Sequence, residues 1–231
     1  MCGRYALTGD PGELERRLLA RFPQGRLVGE RYNVAPRQQI PVIAHAPPST
    51  RTPAEARWGL LPAWARTSKD KLQPINARDD KLLSGRMWKA MMAPAHRVLL
   101  PADGYYEWVR AEKKSERPAP FFHTVDDGGY FAFAGFVNTT TVDDLDEPIV
   151  TAAMITTSAN GPAARVHNRM PAILSGPEAE AAWLSPDVTP EEAATLIQPL
   201  ADERLNIRPA STLVNNVHNQ GPELLDPDAA P

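Results

Sequence analysis

Twenty-four prolines are spread through the 231 residues. Each proline fixes its own φ, donates no backbone hydrogen bond and pushes its predecessor out of the helical region. Many connections should therefore be rigid. Between the breaks lie short runs rich in β-branched and aromatic residues, at 40–45, 97–100, 104–110, 130–138 and 149–157. Bounded by Pro, Gly and Asp, they read as strands. Asp126-Asp127-Gly128-Gly129 looks like a hairpin turn, and 46–53 and 140–148 read as exposed loops. Helices are signalled where Asp10-Pro11-Gly12-Glu13 offers an N-cap, a proline in the first turn and the acidic member of a capping box. Leu14, Leu18 and Phe22 then repeat every four residues, which predicts an amphipathic helix over 11–22. Similar starts occur at Thr189-Pro190-Glu191-Glu192 and Ser175-Gly176-Pro177-Glu178. With strands in the middle and helices beside them, the expected fold is α+β, a single domain on a curved, largely antiparallel β-sheet or open barrel with flanking helices. The domain should span 1–221, with a loose tail from 222 to 231.

Hydrophobic residues make up 42% of the chain and charged residues 23%, the balance of a globular protein rather than a disordered one. The single cysteine, Cys2, excludes an intramolecular disulfide and a cysteine-based metal site. No metal or cofactor is expected. Nothing reads as a signal peptide or membrane span, so a cytoplasmic monomer is the default expectation. The net charge of −3 argues against a polyanion partner, but its distribution does not. Residues 1–117 carry 21 Lys and Arg against 12 Asp and Glu, net +9, whereas the remainder carries 4 against 16, net −12. Either the first half builds a basic surface suited to nucleic acid, or the halves interleave and the charges mix.

Cys2 stands directly behind the initiator methionine, where a small residue normally permits excision of Met1. The product is a 1,2-aminothiol whose amine and thiol have reference pKa values of about 8 and about 8.5, so both are available near neutral pH. With an aldehyde the amine forms an imine, and the sulfur can then close a five-membered thiazolidine. Other polar residues occupy tight apolar settings: Asn33 in Tyr32-Asn33-Val34, Asn76 and Arg78 in Ile75-Asn76-Ala77-Arg78, Glu107 between Tyr106 and Trp108, and His167 and Arg169 before Met170-Pro171. A carboxylate between aromatic rings can be desolvated toward a pKa useful for general acid–base work, and histidine titrates near neutrality. Each also has a plain structural reading, as an exposed strand residue, a packed histidine or a turn former.

Seven segments in order resemble the SOS-response-associated peptidase (SRAP) family. They are Met1-Cys2-Gly3-Arg4-Tyr5, Arg31-Tyr32-Asn33-Val34-Ala35-Pro36, Trp58-Gly59-Leu60-Leu61-Pro62-Ala63-Trp64, Ile75-Asn76-Ala77-Arg78, Pro101 to Trp108, Thr156-Thr157-Ser158-Ala159-Asn160, and His167-Asn168-Arg169-Met170-Pro171, with the likeness running on to Asn215-Asn216-Val217. The resemblance implies a sensor and shield of abasic sites in single-stranded DNA, including DNA at strand junctions, that crosslinks covalently through its N-terminal cysteine. It implies Cys2 as nucleophile and thiazolidine former, Asn76 as holder of the centre and of the opened sugar, Glu107 as the acid–base group, and His167 as an aid to ring opening. It further implies DNA contacts at Arg4, Asn33, Pro36, Trp64, Arg78, Arg86 and Arg169, with guanidinium forks on phosphates and Trp64, or the more core-like Trp58, stacking on bases. Three departures stand out: Asp79-Asp80 where many members have Glu-Thr, Asn168 where His-Asp-Arg is common, and Ala65 where some carry a second aromatic. Two other readings stay open, a cysteine hydrolase working from a processed N-terminus and a noncovalent single-strand binder.

Overall fold

The computed structural model describes residues 2–22, 29–46, 50–109 and 118–229. In chain order its strands are β1 (Tyr5–Leu7), β2 (Arg31–Val34), β3 (Gln39–Ala46), β4 (Thr50–Trp58), β5 (Asn76–Arg78), β6 (Arg97–Ala102), β7 (Gly104–Val109), β8 (Ala119–Val125), β9 (Phe131–Thr140), β10 (Ile149–Ser158), β11 (Arg169–Pro171) and β12 (Leu205–Pro209). The helices are α1 (Pro11–Leu18), α2 (Arg86–Met91), α3 (Gly161–Ala164), α4 (Pro177–Leu184) and α5 (Pro190–Thr195). The expected α+β class with a curved, largely antiparallel sheet is what the chain adopts.

Strands β10, β4, β3, β6 and β9 form a continuous circuit that closes because β9 also pairs β10. The circuit is therefore closed into a barrel. Every pair in it is antiparallel except β4 with β10. Gly135 of β9 lies opposite Val98 and Met154, and a Cβ there would come within 2.2 Å of Leu100 Cδ1. The second sheet runs β12-β8-β7-β1-β2. It packs on the barrel through aromatic edges, with Tyr5 5.5 Å from Trp58 and both Tyr5 and Tyr105 about 6 Å from Phe133. Beyond its barrel contacts β10 gathers two short strands at one end, β5 in parallel and β11 in antiparallel register.

Several expectations are corrected. Within 46–53, Arg51–Pro53 belong to β4 rather than to a loop, with Pro53 opposite Ile43. Prolines fit here because β4 pairs β10 only at Arg57 and Trp58, which leaves its other edge around Pro53 without a ladder to interrupt. Asp126–Gly129 do turn, with Asp126 and Gly128 at positive φ, but the strands on either side belong to different sheets. The turn is a crossover rather than a hairpin. Helix α1 is capped by Asp10, whose side chain accepts from Glu13 N–H, and stops at Leu19 in the left-handed region. Phe22 stays buried beyond the helix because its N–H donates to Glu15 Oε1. The capping box at Thr189 forms in full. The tail is docked rather than loose as far as it is described, since Leu224 is fully buried and Ser211 Oγ donates to Ala229 O. Residue 110, the end of one expected strand, residues 47–49 of the expected loop and residues 230–231 of the tail lie outside the described residues.

Candidate functional site

The site is built where the N-terminus meets both sheets. Strand β1 pairs β7 with Tyr5 opposite Tyr105, and Tyr106 N–H donates to Arg4 O, so the residues preceding β1 continue alongside Glu107. Cys2 is 1% exposed and Glu107 4%. Asn76, the first residue of β5, donates from Nδ2 to Cys2 O at 3.0 Å. Its Oδ1 is buried with no partner among the described residues, an acceptor held ready beside the cysteine. Cys2, Asn76 and Glu107, three residues 31 to 105 positions apart in the chain, thus form one cluster.

The Cys2 thiol titrates well above its ordinary range, first because burial disfavours the thiolate, then because the Glu107 carboxylate repels it and accepts a hydrogen bond from the thiol. This corrects the expectation of a thiol that ionises unaided near neutrality. The carboxylate that receives the thiol's hydrogen bond is that of Glu107. Tyr105, two residues before Glu107 and hence on the same face of β7, escaped the sequence reading. It is buried, stacks on His123 with ring centroids 4.4 Å apart, and its ionisation is pushed up by burial and then by charge at Cys2 and Glu107. The period-two spacing from Glu107 was the available signal.

His167 and Arg169 occupy the end of the same sheet. Arg169 of β11 lies opposite Ser158 of β10, while Arg78 of β5 lies opposite Thr156 on the other side of β10. His167 is half-buried, and its Nδ1 accepts from Arg169 N–H at 3.0 Å. In that assignment the neutral ring carries its proton on Nε2. Arg169 Nη2 contacts Thr156 and also Asp79 Oδ1 at 2.9 Å, while Thr157 Oγ1 donates to Asp79 Oδ2. Arg78 makes a two-pronged pair with Asp80, both contacts 2.9 Å, with the side chains 59% and 45% exposed.

The other expected DNA contacts differ in disposition. Trp64 is 59% exposed, on the segment that follows β4 after the buried residues 59–62. Trp58 is fully buried and donates to Ile75 O. Arg86 is exposed at the start of α2, and Pro36 is half-buried in the turn after β2. Arg4 points inward, donating to Asn33 Oδ1 and Val214 O, with its guanidinium 5.9 Å over the Trp108 ring. Asn33 is fully buried, and its Nδ2 reaches Val214 O, Asn216 O and Asn219 O. It braces Arg4 and the C-terminal segment against β2. Ala65 is buried against Leu61 and Val142. Part of the charge asymmetry is cancelled in space, since Arg17 and Arg51 of the first half both pair with Glu180 of the second.

A family model described as SOS response associated peptidase (SRAP) matches residues 1–217. Abasic site processing protein YoqW of Bacillus subtilis (strain 168) is 33% identical over 229 residues, covering 98% of this chain and 99% of that protein. Abasic site processing protein HMCES of Gallus gallus is 31% identical over 263 residues, covering 98% of this chain and 78% of that one. A crystal structure of a protein from Bacteroides thetaiotaomicron superposes with a TM-score of 0.85 at 24% identity, covering 97% of this chain and 99% of that one, a likeness of fold.

Proposed function

Since the chain belongs to the SRAP family, we propose that it processes abasic sites in DNA by capturing the ring-opened sugar aldehyde on Cys2, after Met1 is removed, and holding it as a thiazolidine on single-stranded DNA. The observation that carries this reading is the pairing of the Cys2 thiol with the Glu107 carboxylate beside Asn76. Excision of Met1 is required because an amine held in a peptide bond cannot form an imine. The freed amine adds to the aldehyde and one water is lost. The sulfur then adds to the imine carbon while its proton passes to the imine nitrogen, a transfer that Glu107 is placed to carry. Asn76 Oδ1 is an acceptor for a hydroxyl of the opened sugar, and His167 serves ring opening from the sheet end. Trp64 offers a face for base stacking, and Arg78, Arg86 and Arg169 offer positive charge to phosphates.

A cysteine peptidase would draw on the same thiol and the same adjacent carboxylate, and it is placed second because the relatives YoqW and HMCES are both named abasic site processing proteins. A purely noncovalent binder would leave the buried thiol–carboxylate pair without a task. The test is mass spectrometry and denaturing electrophoresis after mixing the protein with an oligonucleotide carrying one abasic site. The wild type is expected to form a heat-stable adduct with the mass of protein lacking Met1 plus DNA minus water. Cys2→Ser should form none while keeping weak, salt-sensitive binding to intact single strands. An equally stable adduct from the serine variant would remove Cys2 from the mechanism.

A further inference from the structure

The two arginines at the sheet end beside Asn76 are not bare cations. Arg78 follows Asn76 by two residues in β5, so both side chains leave the same face of the strand. Its guanidinium already holds a carboxylate in the two-pronged geometry that a phosphate would take, Nε and Nη2 each 2.9 Å from an Asp80 oxygen. Arg169 meets Asp79 through a single contact, from Nη2 to Oδ1 at 2.9 Å, and that carboxylate is also tied to Thr157 and is only 26% exposed, which makes it part of the scaffold. The Asp80 side chain has no such second hydrogen bond among the described residues and stands 45% exposed.

We propose that Asp80 is an internal stand-in for phosphate, a displaceable carboxylate that keeps the Arg78 fork filled and sets how strongly undamaged strands are held. This rests on the DNA-binding reading above. An exposed ion pair is worth little in water, so a phosphate can displace Asp80, but it then sits beside the released carboxylate and gains little net attraction. Non-covalent binding is thereby kept shallow. Intact DNA leaves readily, while a damaged strand is retained by the bond to Cys2 and does not depend on Arg78 for its residence. Asp80 thus determines affinity for undamaged DNA without entering the chemistry.

The test measures binding of an intact single-stranded oligonucleotide across a salt series, together with adduct formation on the abasic oligonucleotide, in the protein lacking Met1. Asp80→Asn should tighten binding to the intact strand roughly three- to tenfold at low salt and steepen the salt slope by about 0.7, the contribution of one added phosphate contact on a single strand. Arg78→Ala alone should have a smaller effect than Arg78→Ala made in the Asp80→Asn background, where it should erase the gain. Asp187→Asn, an exposed carboxylate after α4, controls for net charge. Weaker binding by Asp80→Asn would show that the carboxylate aims Arg78 rather than occupying it, and overturn the proposal. So would a gain that survives Arg78→Ala, or one matched by Asp187→Asn. Loss of the wild-type adduct with the predicted Asp80→Asn gain intact would sink the capture mechanism and leave this role standing.

Discussion

At Glu107 the charge that raises the Cys2 pKa is also the charge that can accept its proton, and the two effects separate under substitution. Glu107→Gln keeps the shape and removes the carboxylate, so the thiol pKa should fall toward its ordinary range while remaining raised by burial. If thiolate supply limited the reaction, the variant would be faster. On the proposed route, in which Glu107 carries the proton from sulfur to nitrogen, we expect adduct formation to slow by roughly 10²- to 10⁴-fold, with noncovalent affinity unchanged. Stopped-flow mixing with the abasic oligonucleotide across pH, beside thiol titration of the same variant, reads both quantities. A rate equal to wild type would make Glu107 structural and move the proton transfer to His167.

Among the elements, the join between β2 and the C-terminal segment depends on one side chain. Asn33 gathers three carbonyls from residues 214–219 and receives Arg4, while Gln220 exchanges hydrogen bonds with the Asn33 backbone. Leu224 is buried beyond it. Asn33→Ala leaves those buried acceptors and the Arg4 guanidinium short of partners, at a cost of about 2–4 kcal/mol. Urea unfolding should show that loss, and limited proteolysis should cut first after residue 213. An unchanged midpoint and cleavage pattern would mean that the segment is held by its apolar contacts alone. Arg4 would lose one of its two acceptors in the same variant while keeping Val214 O and the Trp108 ring.

For the molecule as a whole, acid sensitivity should have an identifiable source in His123, buried in the second sheet with its pKa lowered to about 4, chiefly by desolvation. The unfolded chain binds its proton near pH 6.5, so between about 6.5 and 4 the unfolded state holds more protons than the folded one. Stability from this group is therefore complete above about 6.5 and declines as pH falls toward 4, with a slope approaching about 1.4 kcal/mol per pH unit. His123→Gln should lower stability at neutral pH by disturbing the stack on Tyr105, yet flatten the decline between pH 6.5 and 4.5. Chemical unfolding at several pH values gives both numbers, and a decline as steep as in the wild type would exonerate His123.

Much of this was readable along the chain because it depends on local chemistry. The five expected strand cores all lie within or across β3, β6, β7, β9 and β10, and the helix starts at Asp10 and Thr189 were marked by caps that act over three residues. The position of Cys2 directly behind Met1, which makes an aminothiol available once Met1 is removed, is likewise read from the chain alone. What the chain could not display are relations between residues far apart in it. Proline-bearing β4 became a strand because the long pairing with β3 outweighed local preference, and the crossover at Asp126 looked like a hairpin because turn chemistry says nothing about which sheet the next strand joins. The inward turn of Asn33 and Arg4, the pairing of Arg169 with Asp79, and the thiol pKa raised by burial beside Glu107 all depend on desolvation and on partners that tertiary packing brings close. Residue identity determined which chemistry was available; tertiary packing decided which groups lost their water and which charge each of them met.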